Sequence, residues 1–193
     1  MTSKETIKEI LVLTLKLGVI CIIVAGLLAF VNSITGPVIA ANEQKVFEAS
    51  MAEVLPGAES FEKVDLSFET EDAGVMLNSF YKAENGYVVN TTCKEGYGGD
   101  IAVMVGINPD LTINRIKIMS MSETAGLGAK AGQESFWGQY AGLKANIGVE
   151  KNNGGSPEKN TISAISGATV TSKAVTKAVN LALSAAEGGA ANE

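Results

Sequence analysis

The sequence contains no histidine. Ser-His-Asp and Cys-His catalysis, HExxH zinc sites and histidine-ligated haem are thereby excluded. Its two cysteines, Cys21 and Cys93, are too few for a zinc or iron–sulfur site within one chain. Cations are scarce as well. Lys plus Arg number 15 against 21 Asp plus Glu, a formal charge of −6, which argues against a binder of nucleic-acid backbones, since that affinity needs clustered cations. Aromatic residues make up only 6% while glycines number 21, the composition of a small-residue, turn-rich domain. A length of 193 residues allows one or at most two compact units, and no internal repeat is present.

What is abundant is apolar sequence, and it crowds into the N-terminus. Residues 11–31 read LVLTLKLGVICIIVAGLLAFV, with Lys16 as the one charge, and residues 17–42 carry no charge at all. At about 1.5 Å per residue such a run spans roughly 30 Å, the hydrocarbon thickness of a bilayer. Lys16 lies near one end and can extend its amine toward the headgroups. A buried core helix would need a polar face, and this segment is apolar all round. A cleaved signal peptide has a shorter apolar region, although Val38-Ile39-Ala40 would pass as a small-residue cleavage site. The reading adopted is an uncleaved single span over about residues 11–34, within an N-terminal segment 1–35. Gly36-Pro37 is predicted to stop or kink this helix. A linker helix over 36–57 follows, from the spacing of Val38, Ala41, Val46, Ala49 and Leu55, with Pro56-Gly57 ending it. Lys4, Lys8 and Lys16 precede the span and the next cation is Lys45, so the positive-inside rule places the N-terminus in the cytoplasm. Residues 1–35 hold three Lys and two Glu, a charge of +1, which leaves −7 for the remainder on the other side. Gly18, Ala25, Gly26 and Ala29 are small residues that allow close helix packing, or else the segment is a simple anchor.

Residues 58–187 read as an α+β domain. Residues 58–74 are a charged connecting region. Strands over 75–82 and 87–92 flank Asn85-Gly86, a strong hairpin signal, and strands over 101–107 and 111–118 flank Asn108-Pro109-Asp110. An antiparallel meander of about four strands results. A Gly-rich loop over 120–130 and a short helix over 135–141 carrying Trp137 come next. A polar loop over 151–159 and a short strand over 161–165 follow. The final helix spans 170–186, with Ala174, Val175, Ala178, Val179, Leu181 and Leu183 on its apolar face. Gly188-Gly189 is predicted to end it, leaving a flexible tail over 188–193.

The most informative stretch is Ser166-Gly167-Ala168-Thr169-Val170-Thr171-Ser172, between the last strand and the last helix. On spacing alone it reads as an N-cap cluster, in which hydroxyls accept hydrogen bonds from first-turn amides. The same physics suits a phosphate, because a helix N-terminus offers free amides and the positive end of a dipole. Gly167 and Ala168 would let a phosphate approach the backbone, and Thr169 would put a hydroxyl beside it.

Ser-Gly-Ala-Thr followed by a hydroxyl-rich helix start resembles the flavinylation motif of the FMN-binding domain. That domain occurs in the G subunit of the Rnf complex and the C subunit of the Na+-translocating NADH:quinone reductase (Nqr). The resemblance implies that Thr169 is joined to FMN by a phosphoester bond made from FAD by a separate flavin transferase. Ser166, Gly167, Ala168, Val170 and Thr171 would flank the attachment point. Two further stretches fit. Ser122-Glu123-Thr124-Ala125-Gly126-Leu127-Gly128 is similar to the family's Glu-Thr-Pro-Gly-Leu-Gly loop beside the isoalloxazine ring, which assigns Glu123, Thr124, Gly126, Leu127 and Gly128 to the cofactor site. Lys94-Glu95-Gly96-Tyr97-Gly98-Gly99 resembles its Gly-rich segment before a strand. The chain departs from the pattern at Ser163, where an acidic residue is usual, and at Ala125, which replaces the usual proline. It is short for an Nqr C subunit and fits an Rnf G subunit better.

The other candidates are open between functional and structural roles. Cys93 is a reactive thiol, a flavin attachment point or a strand-end packing residue, and Cys21 packs in the span or faces a metal centre of neighbouring subunits. Trp137 and Tyr97 stack near a flavin or serve as ordinary aromatics, and Lys130 neutralises the phosphate or is a solvated charge. No catalytic pair and no metal ligands are assigned. The resemblance implies an electron-carrying flavoprotein subunit of a membrane-bound, ion-translocating ferredoxin:NAD+ oxidoreductase, with no catalysis of its own. Its partners would be the other subunits, the flavin transferase and the bilayer, with the FMN domain on the extracytoplasmic side. The alternatives are an Nqr C subunit and a flavin-free, membrane-anchored binding domain.

Overall fold

The computed structural model describes residues 3–66 and 72–191. Contacts divide the chain into two compact units, one up to Phe47 and one from Glu48 onward. Helix α1 runs from Ser3 to Val54 with Pro37 inside it. The predicted stop at Gly36-Pro37 does not occur. Proline removes one backbone donor, but in an apolar segment an opened helix would strand several backbone groups away from water, so the helix continues. The Ser33 and Thr35 hydroxyls nearby donate to the carbonyls of Phe30 and Val31, at 2.8 and 3.0 Å. Leu11, Leu13, Leu15, Leu28 and Phe30 are each more than half exposed, on all sides of the helix. Among the described residues α1 is the one helix long and apolar enough to cross a bilayer, as expected of a single-pass membrane protein.

The second unit is built on one antiparallel sheet of five strands in sequence order: β1 (Glu62–Val64), β2 (Val75–Ala83), β3 (Gly86–Cys93), β4 (Ile101–Ile107) and β5 (Ile113–Met121). Strand β1 lies in the stretch read as connecting region, and part of that stretch, residues 67–71, falls outside the described residues. The first hairpin turns on Glu84-Asn85, one residue earlier than Asn85-Gly86, because Ala83 pairs with Gly86. Gly86 sits at φ +144, and a side-chain carbon there would run into the Ile107 carbonyl. Its glycine therefore serves the close approach of β3 to the end of β4. Strand β5 begins two residues later than predicted, after Leu111 adopts φ +62 in the turn.

Short elements follow: α2 (Glu134–Trp137), β6 (Gly148–Glu150), β7 (Thr161–Ser163) and the long α3 (Thr169–Ala191). Strand β6, absent from the sequence reading, pairs in parallel with β7. Helix α3 runs through Gly188-Gly189 to Ala191, and only residues 192–193 of the predicted tail lie outside the described residues. Gly189 is glycine for packing. An added Cβ would stand 2.8 Å from the Phe80 ring, which is buried against Tyr87.

The sheet is covered on both faces. Ala174, Val175, Ala178, Val179, Ala182 and Leu183 of α3 are buried with Val89, Val103, Val105 and Ile116 of the sheet. Burial of each Val, Leu or Ile side chain contributes about 1.5–3 kcal/mol. The Thr91 hydroxyl donates to the Ala178 carbonyl at 2.9 Å, fastening α3 to β3 inside this layer. On the opposite face the end of α1 seats Val54 against Gly106, where any side chain would strike the Val54 backbone. Glu53 there pairs with Lys117 and Arg115 of β5. The sheet and α3 thus fix where the N-terminus of α3 points, and the candidate site is built around it.

Candidate functional site

Between β7 and α3 the chain makes one tight turn. The Ala168 amide donates to the Ile165 carbonyl at 2.9 Å, and Gly167 in the third position has φ +79. A positive φ at that position defines a type II turn and favours glycine. The hydroxyls that follow do not cap the helix. Thr171 donates to Glu123 Oε2 at 3.0 Å, and Ser172 accepts from the Ile165 amide at 2.9 Å and donates to the Ala168 carbonyl at 3.0 Å. Helical bonding starts with the Ser172 amide on Ala168, at 3.1 Å. Among the described residues, the amides of Thr169, Val170 and Thr171 and the hydroxyl of Thr169 have no hydrogen-bond partner. The sequence pattern that reads as an N-cap cluster thus leaves the helix end open to an anion.

A second turn of the same kind faces the first. The Leu127 amide reaches the Thr124 carbonyl at 3.2 Å, with Gly126 third in the turn at φ +79 and Ala125 second. Leu127 packs toward Gly167, where a Cβ would come within 3.2 Å of its Cδ2. Glu123 ties the surrounding segments together. Its Oε1 accepts the amides of Tyr97 and Gly98 at 2.8 and 3.3 Å, while Oε2 takes the Thr171 hydroxyl. Gly128 lies against this knot, since a Cβ there would stand 2.5 Å from Glu123 Oε2 and 2.7 Å from Thr171 Oγ1.

These three stretches enclose a cavity of about 480 Å³, lined by Tyr97, by Thr124, Leu127 and Gly128, and by residues 167–171. That size suits a small-molecule ligand. Among the described residues of the second unit, the large apolar side chains left exposed are Met76, Tyr97, Leu127 and Val170, and all but Met76 line this cavity. Tyr97 is 75% exposed, a large aromatic surface with nothing over it. A separate, more polar recess of about 300 Å³ lies beside the same turn, lined by Lys151, Asn152, Asn153, residues 164–167 and Thr169. Thr169 borders both.

Of the residues singled out in the sequence, Thr124, Leu127, Gly128, Gly167, Ala168, Thr169, Val170, Thr171 and Tyr97 come together at the larger cavity. Ser166 borders only the polar recess. Glu123 and Gly126 support the wall without lining it. Ser163 accepts the Gly155 amide on its hydroxyl at 3.1 Å. Cys93 is fully buried, its thiol pushed up by that burial, and it lines neither space. Trp137 lies under the Arg115 guanidinium, 4.6 Å from the ring centre, and Lys130 is exposed; neither borders the two spaces. Cys21 is an exposed residue of α1. Among the described residues no group of His, Cys, Asp or Glu is placed to hold a metal. Lys151, Asn152 and Asn153 were legible only as a polar loop, because parallel pairing of β6 with β7 is what brings them to Thr169.

Fold and site define a membrane-anchored α+β domain with a largely apolar cavity at the N-terminus of its last helix. Residues 96–184 match the family model of the FMN-binding domain, and residues 1–54 match that of the RnfG N-terminal region. The G subunit of the proton-translocating ferredoxin:NAD+ oxidoreductase complex of Clostridium ljungdahlii is 35% identical over 189 residues, covering 95% of each chain. The G subunit of the Na+-translocating complex of Acetobacterium woodii is 33% identical over 201 residues, covering 95% of this chain and 96% of that one. The G subunit of the ion-translocating oxidoreductase complex of Methanosarcina acetivorans is 35% identical over 184 residues, covering 91% and 94%. The chain belongs to the G-subunit family of the Rnf-type ion-translocating oxidoreductases, with an FMN-binding domain as its globular part.

Proposed function

We propose that this chain is the electron-carrying flavoprotein subunit of an Rnf-type ferredoxin:NAD+ oxidoreductase, with FMN joined covalently to Thr169. The observation that carries the reading is the convergence at one cavity of an unpartnered Thr169 hydroxyl, three uncapped amides and the exposed side chains of Tyr97, Leu127 and Val170. Phosphate chemistry and apolar ring surface meet there, which are the two ends of a flavin nucleotide. In the attachment step Thr169 Oγ would lose its proton and bond to the FMN phosphorus, with the phosphoanhydride bond of FAD breaking and AMP leaving. A separate flavin transferase would carry out that step. The bound flavin would supply one- and two-electron redox chemistry. The residues that would hold it are the α3 amides for the phosphoryl group and the apolar side chains of Leu127 and Val170 for the ring, with the two facing turns forming the walls. The Thr171 and Ser172 hydroxyls are each hydrogen-bonded within the protein, whereas that of Thr169 has no partner among the described residues.

Coexpression with a flavin transferase tests this. Intact mass is expected to exceed the polypeptide mass by one FMN less one water, and flavin fluorescence should follow the band through a denaturing gel. Thr169→Val should abolish both. Covalent flavin retained in Thr169→Val would move the attachment to Thr171 or Ser172. A colourless, unmodified parent chain would leave a membrane-anchored binding domain without flavin.

A further inference from the structure

The polar recess beside Thr169 has no role in the reading above. Its lining is an ammonium and two carboxamides, from Lys151, Asn152 and Asn153, set across from Ser166 and Thr169. Among the described residues Lys151 has no ion pair, and the side chains of Asn152 and Asn153 have no hydrogen bonds. The loop that presents them is nevertheless well held. Gly154 donates to the Lys151 carbonyl at 3.1 Å, Gly155 donates to Ser163 Oγ at 3.1 Å, and Ala164 donates to the Glu150 carbonyl at 2.8 Å. Gly155 lies so close to β7 that a side chain there would strike the Ile162–Ser163 backbone. Asn152 and Asn153 both adopt left-handed φ, at +55 and +57, which asparagine tolerates better than most residues. Three exposed polar side chains, without protein partners among the described residues, are thus presented by a fixed loop to a threonine whose other side borders an apolar cavity.

We propose that Lys151, with Asn152 and Asn153, forms the anion end of the flavin site, supplying a cation and amide donors to the phosphoryl oxygens of a flavin phosphate at Thr169. The inference rests on the flavin reading and adds a subsite to it. A phosphoryl group at the Thr169 hydroxyl would have the α3 amides on its helix side and the ammonium on its loop side. The phosphodiester carries a negative charge within a chain whose own net charge is −6, so a local cation is the needed complement. Lys130, suggested by its nearness in sequence to the 122–128 loop, borders neither space. The Glu150 carboxylate approaches the same loop from the side of Gly154.

FMN and riboflavin differ only in the phosphate, so their relative affinity isolates this subsite. The full chain, purified in detergent from cells lacking flavin transferase, would be titrated with each by fluorescence quenching. FMN is expected to bind about tenfold more tightly than riboflavin, the scale of one charge-assisted contact. Lys151→Gln should bring the two within about twofold while leaving riboflavin affinity unchanged. Lys130→Gln should keep the full preference. In the covalently flavinylated protein, Lys151→Gln should shift the phosphodiester 31P resonance, and Lys130→Gln should not. No preference for FMN in the parent chain, or a preference untouched by Lys151→Gln, overturns the proposal. Absence of covalent flavin from the parent chain after coexpression would instead remove the flavin reading itself.

Discussion

Glu123 commits both carboxylate oxygens inside the protein, one to the amides of Tyr97 and Gly98 and the other to the Thr171 hydroxyl. It joins three segments that meet at the cavity, and its neighbours are constrained accordingly. Gly128→Ala places a methyl group into that knot and is expected to cost about 2 kcal/mol, the scale of a broken charged hydrogen bond. Gly126 has open space around it but φ +79, so Gly126→Ala should cost only the left-handed backbone penalty, about 1 kcal/mol. Ala125 occupies the second position of the same turn, which favours proline, and Ala125→Pro is expected to stabilise by about 0.4–1 kcal/mol. Thermal unfolding of the three variants checks the order; a Gly126 variant weaker than the Gly128 variant would contradict it. The turn residues were legible because their chemistry is local: a glycine at positive φ and a small residue before a helix. Which hydroxyl remains free was not legible. Thr171 is engaged by a carboxylate 48 residues away, and Ser172 turns back to the Ile165 amide, contacts that no local pattern shows.

Hydrophobic period and turn signals identified the long elements, and the errors concentrate where a local signal serves a distant contact. Gly188-Gly189 looks like a helix stop, yet Gly189 lies within α3 because Phe80 occupies the space of its side chain. Gly189→Ala should therefore destabilise by about 1 kcal/mol or more, against the gain that helix propensity alone predicts. A higher unfolding temperature for this variant would show that the ring yields easily. Strands β1 and β6 are three residues each, too short for any period to register, and exist through their pairing with β2 and β7. Helix α3 is also tied by charge. Lys177 reaches Glu95 at 2.6 Å and Asp72 at 3.1 Å. Those carboxylates, Glu95 foremost, raise the Lys177 pKa, while the Gly74 amide and then Lys177 lower that of Asp72. The raised lysine contributes stability below its ordinary pKa and loses it as pH rises through the folded value. The lowered aspartate contributes above its ordinary pKa and loses it as pH falls through the folded value. Lys177→Gln should therefore lower stability by a constant, small amount from about pH 5 to about pH 9. Below the carboxylate range the difference should vanish; a difference that persists there would assign it to packing of the lysine stem.

For the whole molecule, the decisive quantity is which side of the bilayer holds the flavin domain. Lys4 and Lys8 precede the apolar run and Lys16 lies near its start, so the positive-inside rule predicts a cytoplasmic N-terminus, with Thr169 on the opposite side. The proposed covalent attachment would suit that placement, because a flavin that dissociated outside the cytoplasm would be lost by dilution. A single helix encloses no cavity and α1 carries no ionisable residue from 17 to 42 except Cys21, so ion movement has to occur in other subunits. Electrons would then reach the Thr169 flavin only after crossing the membrane through those partners. Protease added to spheroplasts should digest the region after the span and spare the N-terminus, read with tags at both ends. Protection of the flavin domain would place it in the cytoplasm and remove the transmembrane electron route. With the expected topology, the isolated, flavinylated chain should neither oxidise NADH nor reduce ferredoxin at a useful rate. Both activities should appear in the assembled complex and, if each turnover passes through a flavin on Thr169 as proposed, fall by at least about tenfold with Thr169→Val. Full activity of a complex carrying Thr169→Val would show that electrons bypass this chain.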